Sequence, residues 1–312
     1  ESFLYPEFEP APHKILALNH SKALINRVSE TACKIFDSLD PDTKTSPNSY
    51  AAACLAAGAL LKGVDLLMEG EIDNGFCLVR PPGHHAEEDR SMGFCLFNNV
   101  AVAARYALEK GLERVMIVDW DLHHGNGTQH SFDDTDRVLY LSTHQYPYYP
   151  GTGSLQETGS GKGEGYTVNV PLPGNQGDLD YATIFDDIVL PVGRSYRPQL
   201  ILLSAGFDIY RGDPLGGMEV TPKGFAYMTR RLVELAEEVC DGRLLVTLEG
   251  GYNLNGQRDG AMAVLSQLLG VGLDTGQPTN LNDEEAGQLA LEKSVHPAIA
   301  QAHEVAKKYW SL

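Results

Sequence analysis

The chain has 312 residues, 43% of them hydrophobic and 21% charged, and its 42 acidic against 24 basic side chains give a formal net charge of −18. A chain of this length buries roughly three quarters of the surface its unfolded form exposes, so its core needs no disulfide or structural metal, and a bound metal would serve chemistry. The acidic balance excludes a nucleic-acid-binding surface and favours cationic partners, while five scattered cysteines without a C-x-x-C pair exclude a disulfide framework and point to reduced thiols in a cytoplasmic protein.

No run is read as reaching the ~20 apolar residues that span a bilayer, and no basic-then-apolar leader opens the chain, so no membrane partner is expected. Without a linker, repeat or low-complexity tract, residues 1–312 read as a single domain whose oligomeric state stays open. In chain order, 49–68 is an Ala/Leu-rich helix and 75–79 (GFCLV) a buried strand. The segment 98–110 is a helix stopped by Gly111, and 115–118 (VMIV) and 138–141 (VLYL) are strands. A strand at 200–203 (LILL) precedes a helix capped by Thr221-Pro222 that runs to about 239, and 244–248 (LLVTL) is the last strand. From Asp259 onward the pattern is helical and carries no recognisable chemistry. Apolar strands without alternation, separated by helices, predict an α/β fold with a mostly parallel sheet covered by helices on both faces.

Each strand leads into reactive residues. GFCLV enters Arg80-Pro-Pro-Gly-His84-His85, VMIV enters Asp119-Trp-Asp121-Leu-His123-His124-Gly-Asn126, and VLYL enters Ser142-Thr143-His144. LILL enters Ser204-Ala-Gly-Phe-Asp208, and LLVTL enters Glu249-Gly-Gly-Tyr252. Open α/β sheets place their sites at the carboxyl ends of their strands, and all five runs agree on that edge.

Asp121 and His123, two apart at a strand end, project to one side and chelate one ion, with Asp208 as the natural third ligand. Two carboxylates and an imidazole leave a position open for water, as catalytic zinc sites do; the set also suits Fe²⁺ or Mn²⁺. For an isolated D-x-H a helix cap or loop contact is the commoner role, but the polar cluster around this pair reverses the odds. His84 and His85 face one site only if the backbone bends, which Gly83 permits. A histidine beside such a metal takes a proton from water and returns it to a leaving amine, and Asp119 and Asn126 are available to orient the two rings. Because a carboxylate raises imidazole basicity more than an amide, the rings should differ in pKa. Tyr252 follows Gly250-Gly251, small residues that let the loop approach the site and swing, and its hydroxyl is placed to stabilise an oxyanion.

Other signals carry less. The glycine-rich 159–165 segment lacks phosphate-loop spacing and is followed by a strand-like YTVNV run, so it reads as a flexible connection. His13, His20 and His144 have no partner evident in sequence and read as structural or exposed; Glu284-Glu285 and Asp186-Asp187 read as solvated helix faces, and the Asn126-Gly-Thr128 sequon as coincidence.

RPPGHHA (80–86), GFCLFNNVAVAA (93–104), VDWDLHHGNGTQ (118–129), SAGFD (204–208) with GDPLGG (212–217), and LEGGYN (248–253) together resemble the zinc-dependent histone deacetylase family, closest to its class II and bacterial branch. The resemblance runs from about Leu18 to Gly270 and implies the arginase-deacetylase fold and hydrolysis of acyl-lysine amides. It implies metal ligands Asp121, His123 and Asp208; His84 paired with Asp119; His85 paired with Asn126 as general base and acid; and an oxyanion-stabilising Tyr252. Phe94 and Tyr149 fall where aromatics flank the acyl-lysine tunnel, with Gly93 and Leu215 beside it, and Asp42 (or Asp40) falls on the rim aspartate. A structural potassium ion is implied near Asp119, Asp121, His123, Ser142 and Thr143, and a second near Phe132, Asp136 and Tyr166.

Three features depart from the pattern: a short stretch before Asn19, no insertion between His85 and Phe94, and Leu215 where a polyamine-selective relative carries an acidic residue. The last two favour acyl-lysine over the main alternative, an acetylpolyamine. An arginase-like two-metal site is disfavoured because position 210 is tyrosine, and an intact site disfavours a non-catalytic acyl-lysine binder.

Overall fold

The computed structural model describes residues 3–271 and 281–312. Two short helices, α1 (His13–Leu16) and α2 (Lys22–Ser29), precede a hairpin of β1 (Asp37–Asp40) and β2 (Thr43–Thr45) and the long helix α3 (Ser49–Glu69). Then come β3 (Asn74–Cys77), α4 (Asn99–Glu109), β4 (Val115–Asp119), α5 (Asn126–Phe132), β5 (Val138–Gln145) and β6 (Thr167–Leu172). Helices α6 (Asp178–Ile184) and α7 (Leu190–Tyr196) flank a π-turn at Phe185–Val189, followed by β7 (Leu200–Ala205), α8 (Pro222–Cys240), β8 (Leu244–Leu248) and α9 (Leu254–Leu268). Helices α10 (Asp283–Leu291) and α11 (Pro297–Ala306) end the described chain.

The main sheet has six strands in the order β3-β8-β7-β4-β5-β6, every pairing parallel. Its inner strands are apolar without alternation because alternate residues feed two cores. Val115, Ile117, Val138, Leu200 and Leu202 pack with α3 and α4 on one face. Met116, Val118, Leu139, Ile201 and Leu203 pack on the other face with α8 and the α6–α7 region. Each inner strand thus contributes to both cores, which is the expected sheet covered on both faces.

Several elements differ from their sequence expectation. β3 lies at a sheet edge, so its residues are only half-buried, and Leu78 beyond it is exposed. β5 runs on to Gln145, placing Ser142, Thr143 and His144 inside the strand, since β6 pairs with that whole stretch. The β1–β2 hairpin was not foreseen, being too short and too charged to show period-2 alternation. α3 is in fact long and apolar enough to cross a bilayer, but 67% of that window is buried in the protein, where it packs on α4 and β8. The 159–165 segment is tied down, Ser160 N–H donating to the Asp133 carbonyl and Gly165 N–H to that of Thr158. Asp186 is no solvated face: it accepts from the Tyr227 hydroxyl and Arg231.

Candidate active site

Asp121 and His123 lie in the loop leaving β4, and Asp208 in the loop leaving β7, the strand hydrogen-bonded to β4. Adjacent parallel strands therefore deliver the three side chains to one point at the sheet's carboxyl edge. Their ligand atoms lie within 4.8 Å of one another. His123 Nδ1 is 3.2 Å from Asp121 Oδ1 and 3.1 Å from Asp208 Oδ2. The outer carboxylate oxygens are held by backbone donors: Gly250 N–H to Asp121 Oδ2 at 2.8 Å and Leu122 N–H to Asp208 Oδ1 at 2.9 Å. Two fully buried carboxylates aimed at one imidazole favour positive charge between them, and this oxygen-rich set with one nitrogen could hold a divalent metal. Burial opposes charge on His123, but the carboxylates of Asp121 and Asp208 outweigh it and raise its pKa to about 10. Burial, reinforced by the charge of Asp121, lifts Asp208 to about 6.

His84 and His85 are buried side by side, ring centroids 4.0 Å apart. His84 Nδ1 is 3.0 Å from Asp119 Oδ2, and His85 Nδ1 is 2.8 Å from Asn126 Oδ1. The two rings differ as expected. Burial opposes charge on His84, but Asp121 and Asp119 raise its pKa, whereas burial and the positive His84 and His123 lower that of His85. Gly83 serves differently from the expected bend: its φ is ordinary, and glycine is needed because a Cβ would sit 2.5 Å from the Asn99 backbone nitrogen.

Tyr252 projects into the same site, and burial beside Asp121 and Asp208 raises its hydroxyl pKa, so it remains a proton donor at neutral pH. Its loop comes as close as expected, since a Cβ on Gly250 would lie 2.4 Å from Asp208 Oδ2. It is anchored, however, because the Asp213 carboxylate accepts from the backbone N–H of both Tyr252 and Asn253, at 2.7 and 2.9 Å.

A cavity of about 330 Å³ opens above these groups, lined among others by Asp42, Gly93, Phe94, Tyr149 and Leu215. The Phe94 and Tyr252 rings lie 6.0 Å apart, and Tyr149 stands edge-on to His85 at 5.1 Å. Phe94 holds a left-handed φ of 67°, a costly conformation for an aromatic residue that fixes where its ring points. Asp42 accepts from Gly93 N–H at 3.1 Å. Asp40 is half-buried on the neighbouring hairpin and does not line the cavity.

Asp119 and Ser142 are register partners across β4 and β5, so the proposed potassium segments do converge. At the second suggested ion position, the Phe132 carbonyl accepts from Thr135 N–H and that of Asp136 from the Tyr196 hydroxyl. Asn126 is 2% exposed, which rules its sequon out as a glycan site. His20 and His144 are buried and partnered.

Four contributors were missed. Tyr148 stacks on His123 at 5.8 Å. Asp213 anchors the tyrosine loop. Glu249 accepts from Gly83 and His84 N–H, and burial raises its carboxyl to about 7. Glu87 bonds Asn126. Glu249 directly follows β8, so the strand-end rule applied to every polar residue would have found it.

Residues 2–268 match the histone deacetylase domain family. The chain is 42% identical over 277 residues to a probable deacetylase of Archaeoglobus fulgidus, covering 87% of this chain and 77% of that protein. It is 45% identical over 276 residues to histone deacetylase 15 of Arabidopsis thaliana, covering 87% of this chain and 49% of that protein. Against histone deacetylase HDA1 of Saccharomyces cerevisiae the identity is 42% over 273 residues, with 85% of this chain and 37% of that protein covered. The chain thus spans about half or less of the plant and yeast proteins. The crystal structure of the HDA15 HD domain superposes with a TM-score of 0.87 at 40% identity, covering 98% of this chain and 81% of that one. By family match, identity and shared fold, this chain belongs to the histone deacetylase family.

Proposed function

We propose that the chain is a metal-dependent amidohydrolase that removes acetyl or similar acyl groups from lysine side chains. One observation carries the reading: Asp121 and His123, grouped with the buried Asp208, meet two differently tuned histidines and a protonated tyrosine in the lining of one cavity. The chain is read as one catalytic domain, since both cores are built on the same sheet.

Asp121, His123 and Asp208 would hold a divalent ion, Zn²⁺ or Fe²⁺, which when bound supplies Lewis acidity toward the amide carbonyl and the attacking water. His85, its Nδ1 engaged by Asn126 and its pKa lowered, takes the proton from that water through Nε2 and delivers it to the departing amine. His84, held positive by Asp119, adds a fixed charge beside the reacting carbonyl. The Tyr252 hydroxyl donates to the oxygen on which negative charge develops. Phe94 and Tyr149 flank the alkyl chain of the substrate, and Asp42 is available at the rim for its backbone. A structural K⁺ is assigned to the β4–β5 segment on the family resemblance, with Asp119 and Ser142 brought together as register partners there. Five unpaired thiols support a reducing, cytoplasmic setting.

Leu215 at the cavity favours acyl-lysine over a polyamine, whose second ammonium would meet an apolar side chain there. Among the described residues only one three-ligand group occurs, which favours one metal over an arginase-like pair. The test compares kcat/KM of the metal-loaded protein on acetyl-lysine peptides and on acetylated polyamines. Preference for the peptides, abolished by chelation and restored by metal, is expected; equal or better turnover of polyamines, or urea release from arginine, would overturn it.

A further inference from the structure

We infer that Glu87 is a positioning residue for this reaction: its carboxylate fixes which way round the Asn126 amide faces, and thereby which nitrogen of His85 carries the proton. The inference rests on the reading of His85 as the proton carrier.

The partner of His85 is an amide, whose two ends differ little in size but oppose each other in hydrogen bonding. With its oxygen facing His85, it accepts from Nδ1–H and leaves the Nε2 lone pair free as a base. With its NH₂ inward, it would require Nδ1 as acceptor, place the ring proton on Nε2 and remove the base. On the far side of the amide, Asn126 Nδ2 is 3.3 Å from the His85 carbonyl, 3.5 Å from Met92 Sδ and 2.5 Å from Glu87 Oε1. The first contact is long and thioether sulfur is a weak acceptor, so the Glu87 contact decides. An ionised carboxylate only accepts; it takes the NH₂ and rejects the carbonyl oxygen.

Glu87 is itself held in place. His130 Nδ1 lies 3.0 and 3.1 Å from its two oxygens, its backbone N–H donates to the Arg90 carbonyl, and its carbonyl accepts from His20 Nδ1 at 2.9 Å. Burial alone would raise its carboxyl, but the bonds from His130 and Asn126 keep it below the ordinary value. Bond polarity therefore runs from His85 to Asn126 to Glu87, and from His130 to Glu87. Neither Glu87 nor His130 lines the catalytic cavity.

The experiment is a polarity swap. Glu87→Gln preserves volume but offers either end of an amide to Asn126; kcat should fall by about tenfold to a hundredfold with KM changed by no more than about twofold. Asn126→Asp alone should also lose activity, because two carboxylates would meet where Asn126 and Glu87 now stand 2.5 Å apart. Combined, the new amide donates to the new carboxylate, which still accepts from His85, and kcat should return to within about threefold of the unaltered protein. Unaltered kcat in Glu87→Gln, or a double variant whose fold-loss is the product of the two single fold-losses, would overturn the proposal. ¹⁵N NMR of histidine-labelled protein reads the His85 tautomer without any substrate. Nδ1–H is expected, changing to a mixture in Glu87→Gln; an unchanged tautomer overturns the positioning role. A tautomer that changes in a protein cleaving no acyl-lysine would instead overturn the functional reading alone.

Discussion

At the residue scale the site depends on few atoms. Tyr252 keeps its proton because it is buried beside Asp121 and Asp208, so the contribution proposed for it is a donated hydrogen bond. Removing one such donor costs about a hundredfold to a thousandfold in kcat. Tyr252→Phe is therefore expected to lose that much while binding metal normally; wild-type turnover with full metal content would remove Tyr252 from the mechanism. Gly250→Ala is expected to act on the metal instead, since its Cβ would stand 2.4 Å from Asp208 Oδ2 and 2.7 Å from Asp121 Oδ2. Competition with a chelator should show affinity weakened by about tenfold or more, and an unchanged affinity would mean the loop yields without moving the carboxylates. The three ligands, both histidines and Tyr252 were legible because each follows a strand, and strand ends share one edge. Glu249 also follows a strand and lay within reach of the same rule, but its role did not, being set by the Gly83 N–H 166 residues away; Glu87 follows no strand and takes its meaning from Asn126, 39 residues away.

At the element scale, the start of α4 shows how a residue without an evident partner becomes structural. Its N-cap Asn98 accepts from Ala101 N–H, while the Asn98 backbone N–H donates to His20 Nε2 at 2.8 Å. His20 Nδ1 donates in turn to the Glu87 carbonyl, so the ring is neutral with a defined tautomer, and burial lowers its pKa to about 4. His144, buried between Ser142 and the Gly153 carbonyl, is likewise lowered to about 4. The unfolded chain takes up protons near pH 6.5 that the folded chain refuses, so stability is complete above that pH and is lost as pH falls toward 4. Each ring contributes on the order of 3 kcal/mol across the window. Denaturant midpoints measured from pH 7.5 downward should fall, and His20→Gln, whose amide can accept from Asn98 and donate to Glu87, should flatten the slope. A slope identical in the variant would assign the acid sensitivity elsewhere. Strands and long helices were readable from apolar runs and caps, as Thr221 shows by accepting from Lys223 N–H at the start of α8. The β1–β2 hairpin that carries Asp42 to the rim was not readable, because in short polar strands pairing is decided by the tertiary surroundings.

At the scale of the whole molecule, composition set the architecture more firmly than the partner. Apolar strands divided between two cores leave little choice but a covered parallel sheet, whereas a net charge of −18 attracts lysine-rich peptides and polyamines alike. On the proposed function the distinction falls to the cavity, which Leu215, Phe94 and Tyr149 line, because a diffuse field cannot discriminate. The field should therefore act on encounter and not on chemistry. For an acetyl-lysine flanked by lysine and arginine, kcat/KM should fall steeply, roughly tenfold, as ionic strength rises from about 0.02 M to about 0.2 M, because the screening length shrinks several-fold over that range. The same peptide with glutamate flanks should show a weaker or opposite dependence, and kcat at saturation should be the same for both at every salt concentration. Two peptides with the same salt dependence would mean that recognition is confined to the cavity, and a salt-dependent kcat would place a charged contact in the rate-limiting step itself.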